Sequence, residues 1–292
     1  MNIQELRNMF PALSRTVYGK PLVYFDNAAT AQRPQSVIDK WTELTVGANA
    51  NIHRAVHKLA VDATDEYEST RDAVKEYLNA ASREEIVFTS GTTGSINLVA
   101  FSFGETFVNK GDEIIVSESE HHSNIVPWQM LCQRKDAVLR VLHVDEDGHL
   151  NLEELKSLLN PKTRIVAVTQ ISNVLGILNP VKKIVSVCHS VGCPVLIDGA
   201  QGMVHEGVDV QDVDCDFYAF SGHKLYAATG TGVLYGKRKW LDQMVPYQGG
   251  GEMIATVRFS GTTYAPLPEK FEAGTQNINA IPTLEPAIEM LK

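Results

Sequence analysis

Val195-Leu196-Ile197-Asp198-Gly199-Ala200-Gln201 reads as a short buried strand that ends in a carboxylate. Its apolar run is too short for a helix and is bounded by glycine, which favours a strand of a covered sheet. A buried aspartate at such a place needs a cationic partner, because an unpaired charge in an apolar interior is costly. A simpler role, capping the next helix, fits the same residue. Outward from this stretch the pattern repeats. Ile86–Thr89, Glu113–Ser117, Val138–Leu142, Arg164–Gln170, Phe217–Ser221 and Gly232–Tyr235 read as further strands. Helical periodicity is carried by Lys58–Asn79, Gly94–Phe101, Asn124–Arg134, Leu152–Leu159 and Val181–Val191. Strand and helix alternate, so the expected class is α/β: a mostly parallel seven-stranded sheet flanked by helices. In such sheets ligands sit at the carboxyl ends of the strands, where the chemically interesting residues of this chain fall.

The rest of the chain bounds what surrounds that sheet. Its 292 residues suffice for one large α/β domain or two ordinary ones, and a net charge of −9 argues against nucleic acid as a partner. No apolar run is long enough for a membrane span, and the start, MNIQELRNMF, has no secretory pattern. Cys132, Cys188, Cys193 and Cys215 show no CxxC spacing, which points to a reducing, cytoplasmic setting. Residues 1–30 are expected to form an N-terminal arm, within a mainly helical and loop segment to Ala80 that packs on the sheet. Residues 31–280 are expected to form the large domain, with Pro246–Gln276 as loop. A last helix over Pro282–Lys292 carries Ile281, Leu284, Ile288 and Leu291 at helical spacing. It breaks off mid-pattern, as expected of a chain that once continued.

Three clusters carry chemistry. Phe220-Ser221-Gly222-His223-Lys224 sets an amine at the end of an apolar strand, where partial burial lowers its pKa and frees it to form an imine with a carbonyl. Taken alone, the same segment is an ordinary surface lysine in a loop. Asp198 is a fitting partner for a protonated pyridine nitrogen, the pair that makes pyridoxal phosphate an electron sink. Ser90-Gly91-Thr92-Thr93-Gly94-Ser95 follows a strand and opens a helix, so its backbone N–H groups and hydroxyls suit a monophosphate, or form a plain strand-to-helix turn. Glu120-His121-His122-Ser123-Asn124 also follows a strand and offers an imidazole to stack on a flat ring. No metal is expected: the histidine pair has no third ligand at a usual spacing, and His53 and His57 lack an intervening HExxH glutamate. Gly230-Thr231-Gly232 lacks the third glycine of a dinucleotide fingerprint, and no P-loop motif occurs.

Taken together these motifs identify a family. YFDNAAT (Tyr24–Thr30), NIHRAVH (Asn51–His57), SGTTGSINLVA (Ser90–Ala100) and EHHSNIVPWQ (Glu120–Gln129) are followed in order by ISNVLG (Ile171–Gly176), DGAQ (Asp198–Gln201), FSGHKLY (Phe220–Tyr226) and FEAGTQN (Phe271–Asn277). The chain resembles the group II cysteine desulfurases of the class V aminotransferase family, the SUF and CSD types, over essentially its whole length. The resemblance implies a pyridoxal 5′-phosphate (PLP) transferase of fold type I. It implies that Lys224 holds the cofactor as a Schiff base and later moves protons, that Asp198 pairs with the pyridine nitrogen, and that Gln201 bonds the ring oxygen. His121 would stack on the ring and act as acid or base, with Thr92, Thr93, Ser221 and His223 on the phosphate, joined by Thr275 of a second subunit. Asn173 would help orient cofactor and substrate carboxylate, Ala28 and Ala29 would line the substrate pocket, and His53 and Arg54 would arrive from the partner of a homodimer. The implied reaction removes sulfur from L-cysteine, or selenium from L-selenocysteine. It leaves L-alanine and an enzyme-bound persulfide that passes to a sulfur-acceptor protein of iron–sulfur cluster assembly.

The chain also departs from the family. The nucleophilic cysteine of an RxGHHC segment and the arginine after it are missing, as is a small C-terminal domain of about 100 residues. The expectation is a truncated desulfurase or a natural half that works with a second chain, weak or inactive alone. Two other readings compete: another PLP enzyme of class V, and a catalytically silent, partner-binding fragment. Ala227-Ala228 stands where relatives carry Gly-Pro, and Gly94 where they often carry glutamate, which bears on the shape of the cofactor loop.

Overall fold

Alternate residues of the central strands face opposite sides, which sorts the apolar side chains into two cores. Val195 and Ile197 join one cluster and Leu196 the other; Tyr218 and Phe220 join the first, Phe217 and Ala219 the second. The computed structural model describes residues 2–54 and 56–292. Met1, in the expected arm, and Ala55, inside the Asn51–His57 motif, lie outside the described residues.

The strands are β1 (Thr16–Val17), β2 (Lys20–Pro21), β3 (Ile86–Thr89), β4 (Glu113–Ser117), β5 (Val138–Leu142), β6 (Thr163–Thr169), β7 (Val195–Asp198), β8 (Phe217–Ser221), β9 (Gly232–Gly236), β10 (Ile254–Arg258) and β11 (Gly261–Tyr264). A seven-stranded sheet runs in the order β3-β9-β8-β7-β6-β4-β5, with β9 antiparallel to both neighbours and the other pairings parallel. The expected α/β sheet is present, each strand within a residue of its expected bounds. Helices Lys58–Leu78, Val181–His189 and Leu284–Leu291 cover the first face, and Thr92–Phe107 and Val126–Lys135 the second.

Local chemistry sets the helix ends. His57 Nδ1 accepts the Ala60 N–H at 3.2 Å to start the Lys58–Leu78 helix, and Asn79 ends it in the left-handed region. Asn151 caps Leu152–Leu158 through two backbone N–H groups. The Thr92–Phe107 helix starts earlier and ends later than its periodicity suggested. Gly104, inside this helix, is a packing site: a Cβ there would lie 2.3 Å from Leu131 Cδ1.

Two segments differ from expectation. Pro246–Gln276 is not all loop, because β10 and β11 form an antiparallel hairpin inside it. The strand pattern was hidden because its residues are almost all exposed, so no apolar alternation marks it. A cross-strand pair holds it instead, Thr256 and Thr263, with hydroxyls 2.6 Å apart. In the arm, the Ile3–Asn8 helix buries no side chain and β1–β2 is an exposed hairpin, while Phe10 and, just after the arm, Ala31 are buried, the Phe10 ring 5.7 Å from that of Tyr226.

Arg71 joins helix, sheet and the FEAGTQN segment. The Arg71 side chain is fully buried, and its Nη1 and Nη2 donate to Glu272 at 2.7 and 3.0 Å. Nη1 also donates to the Ile86 carbonyl at 2.8 Å, and Nε to Glu68 at 3.0 Å. Glu272 Oε1 accepts the Phe88 N–H at 2.7 Å, and the guanidinium lies 4.5 Å from the Phe88 ring centroid. Removing one member of a buried pair leaves an uncompensated charge. Arg71→Met is therefore expected to destabilise the protein by about 3–5 kcal/mol, with the double variant Arg71→Met/Glu272→Gln recovering part of the loss. Denaturant unfolding midpoints of the three proteins check this.

Candidate active site

The last residues of β6, β7 and β8 converge on a single cleft of about 410 Å³, within the usual range for small-ligand sites. Asp198 ends β7, Ser221 ends β8, and Thr169 ends β6. Lys224 and His223 lie on the short turn after β8, His121 on the turn after β4, and Thr92 and Thr93 at the start of the helix after β3. These residues line the cleft together with Ala28, Ala29, Asn173 and Gln201.

Asp198 forms its floor. One carboxylate oxygen accepts the Ala200 N–H at 2.9 Å. Burial pushes the carboxyl up to about 6, opposed by that N–H and by the Lys224 charge. Burial likewise lowers the Lys224 pKa, with Asp198 opposing. Desolvation outweighs mutual attraction for both groups, so the amine is held closer to its nucleophilic form than a surface lysine. Behind them, Gly199 packs on Tyr218: a Cβ at Gly199 would lie 2.0 Å from Tyr218 Cζ.

The anion cradle is built across the sheet. Ser221 Oγ accepts the Thr92 N–H at 2.8 Å and lies 2.8 Å from Thr92 Oγ1. Gly91, at φ +143°, lets the chain enter the helix there, and β9 presses so closely on it that a Cβ at Gly232 would sit 2.3 Å from Gly91 Cα. His223 Nδ1 lies 3.1 Å from Thr30 Oγ1, and the Ala31 N–H donates to the His223 carbonyl at 3.0 Å. Gln201 Nε2 donates to the Ala28 carbonyl at 2.8 Å. The Tyr24–Thr30 loop is thereby pinned along the cleft.

His121 faces the cleft with a defined tautomer. Its Nδ1 accepts the Ser123 N–H at 3.1 Å and lies 2.7 Å from Ser123 Oγ, so the neutral ring carries its proton on Nε2. Burial, then the charges of Lys224 and His122, lowers its pKa. Burial and the charges of Lys224 and Arg33 do the same for His223.

Three expected residues lie elsewhere in this chain. Thr275 is exposed on the segment after Glu272, His53 sits 3.2 Å from Glu68, and Arg54 pairs with Glu252. Sequence reasoning missed Ser123, Thr169, Ile171 and Ala200, which also line the cleft. The strand-end rule was the signal available for Thr169 and Ile171. It also missed a buried acid, Glu120. The Ala228 N–H donates to Thr283 Oγ1 at 3.0 Å, a bond that a proline at this position would have no hydrogen to make. None of the four cysteines lines the cleft. All are buried, and burial raises each thiol, Cys132 to about 11 and Cys188 to about 12. Among the described residues no cluster of three or more metal-ligating side chains occurs.

A carbonyl-reactive amine, a buried carboxylate and an anion cradle in one cleft are the donor set that PLP requires, and the residues fit that group. Residues 23–292 match the aminotransferase class-V family. A cysteine desulfurase of Enterobacter sp. is 52% identical over 288 residues, covering 98% of this chain and 71% of the relative. One from Synechococcus elongatus is 50% identical over the full chain, which spans only 46% of that protein's length. Among solved structures, the cysteine desulfurase CsdA of Escherichia coli superposes with a TM-score of 0.91 at 42% identity, covering 100% of this chain and 72% of CsdA. An apo cysteine desulfurase from Thermococcus onnurineus gives 0.93 at 35% identity, with 100% and 71% covered.

The Gly199–Tyr218 contact is open to a direct check. Gly199→Ala is expected to destabilise the fold by about 1–3 kcal/mol through overpacking, measured by thermal unfolding. Gly199→Ala/Tyr218→Phe should recover little, because the ring carbons clash as well as the hydroxyl.

Proposed function

The chain belongs to the class-V aminotransferase family and, within it, to the cysteine desulfurases; from that premise we propose that it binds PLP at Lys224 and serves the removal of sulfur from L-cysteine. The observation that carries this reading is the convergence of Lys224, Asp198 and the Thr92–Ser221 cradle on one cleft. When bound, PLP supplies an electron sink that stabilises negative charge at the substrate Cα.

In this reading each residue has one task. Lys224 would hold the cofactor covalently and would move a proton at the substrate Cα. Asp198 in its ionised form pairs with the ring nitrogen, and the second N–H of Gln201 reaches the ring oxygen. Thr92, Thr93, Ser221 and His223 hold the phosphate. His121 covers the ring and presents the Nε2 proton. Ala28, Ala29 and Asn173 border the substrate. Thr275, His53 and Arg54 complete the site from a second copy of the chain. Their exposed positions, away from their own cleft, suit that role. The sulfur-accepting thiolate is none of the four cysteines, since each is buried with a raised pKa. It reaches the cleft from outside these residues, and sulfur then passes to an acceptor protein of iron–sulfur assembly. L-Selenocysteine fits the same site. The buried unpaired thiols suit a reducing cytoplasm.

Incubation with PLP is expected to give a visible Schiff-base absorption band that Lys224→Ala lacks; no band in the wild-type protein would sink the cofactor reading. PLP affinity should fall as pH drops through about 6, where the buried Asp198 carboxyl takes up a proton and the partner charge of the ring nitrogen is lost. Asp198→Asn should bind weakly at all pH. A polypeptide of these 292 residues alone should release little or no alanine from L-cysteine. Ready release would show that a thiol among the four does reach the substrate, and transamination without sulfide would favour another class-V activity.

A further inference from the structure

Glu120 is a buried acid beside the cleft to which the roles above give no task. It is 8% exposed and bridges three elements. Its Oε1 accepts the N–H of Thr169, at the end of β6, at 2.8 Å and contacts the hydroxyl of Ser117, at the end of β4. Its Oε2 accepts Asn124 Nδ2 at 2.7 Å, and Asn124 Oδ1 accepts the indole N–H of Trp128 at 2.9 Å. Thr169 is in register with Asp198, and His121 follows Glu120 directly.

All these partners are uncharged. The ionisable groups nearby are Asp198 on β7, His121 and His122 on the same turn and, beyond Asp198, Lys224 after β8. Glu118 turns away to accept the Val144 N–H. Ionised, Glu120 would add a second buried negative charge near Asp198 against a single ammonium. Protonated, it keeps every bond. Oε1 donates to Ser117 Oγ while still accepting from Thr169, and Ser117 turns its own hydrogen to Ser119 Oγ, 3.0 Å away. Burial accordingly pushes the carboxyl up to about 8, with the Asp198 charge adding and the hydrogen bonds from Ser117 and Asn124 opposing.

We propose that Glu120 is a positioning residue held as a neutral acid: it staples the ends of β4 and β6 to the turn that carries His121, and leaves Asp198 as the one ionised carboxyl under the cleft. The part concerning Asp198 rests on the cofactor reading; the stapling does not.

The sign of the pH effect is fixed by linkage. An acid whose folded pKa lies above its unfolded value binds more protons when folded, so its stabilisation is full in acid and is lost as pH rises toward the folded value. Glu120→Gln cannot keep every bond: with its oxygen at the Oε1 position the amide nitrogen faces Asn124 Nδ2, and reversed it faces the Thr169 N–H, so either orientation sets two donors face to face. The test is thermal unfolding of the apoprotein, wild type against Glu120→Gln, from about pH 5 to about pH 9. The variant is expected to melt lower in acid, with the gap narrowing steadily toward alkali. A gap of constant size would mean an ionised Glu120 throughout and would overturn the proposal. Should Glu120→Gln not fold, the infrared spectrum of the wild type decides. A protonated-carboxyl C=O band that persists at neutral pH and bleaches in alkali supports the neutral acid; no such band at neutral pH overturns it. PLP titration of the same proteins tests the placement of the His121 turn, since glutamine adds no charge beside Asp198: affinity is expected to fall about tenfold in Glu120→Gln, and unchanged affinity would refute the positioning role. If the wild type itself forms no Lys224-dependent band, the cofactor reading fails, while the melting curves still report the state of Glu120.

Discussion

One guanidinium holds together parts of the chain that are far apart in sequence. Arg71 rises from a helix on one face of the sheet, bonds the Ile86 carbonyl in β3, and grips Glu272, 201 residues later. Glu272 in turn takes the Phe88 N–H, so the edge strand and the segment ending in Thr275 are fixed to each other. The turn that opens the anion cradle follows β3 directly, and so inherits this alignment. A charge without these partners would be expelled from such an interior; with them it defines a register that apolar contacts, being non-directional, leave loose.

Water exclusion, more than pairing, sets the chemistry of the cleft. Asp198 and Lys224 feel each other's charge, yet burial dominates both and moves each toward its neutral form. Such a pair is suited to a guest that brings its own cation and its own carbonyl, since the guest then satisfies both groups at once. His121 and His223 are lowered by the same burial, and Lys224 adds to it.

Much of this was legible in the sequence, for identifiable reasons. The seven central strands carry dense Val, Ile and Phe runs between turn residues, and the residues at their ends, such as Asp198, Ser221 and Lys224, follow the strand-end rule. The hairpin β10–β11 escaped notice because its threonines face solvent and leave no alternating apolar signal. Glu120 escaped because a glutamate beside two histidines looks like part of a polar turn; its bond to the Thr169 N–H comes from β6, which no local window contains. Arg71 lies within a charged amphipathic helix and gives no sign there that its partner is Glu272. Thr275, His53 and Arg54 were legible only through resemblance, and nothing in the packing of a single chain draws them to its cleft.

The reversed strand β9 has a consequence for how the protein comes into being. It is wedged between β3 and β8, and its Gly232 closes against Gly91 at the mouth of the cradle. During synthesis the cradle's first half emerges early and waits, with β3 lacking its neighbour, until β9 has left the ribosome. Pairing of strands so far apart in sequence is intrinsically slow, and until it happens β3 presents an unpaired edge. The cleft is therefore complete only once β9 has been made, although β9 supplies none of its lining residues.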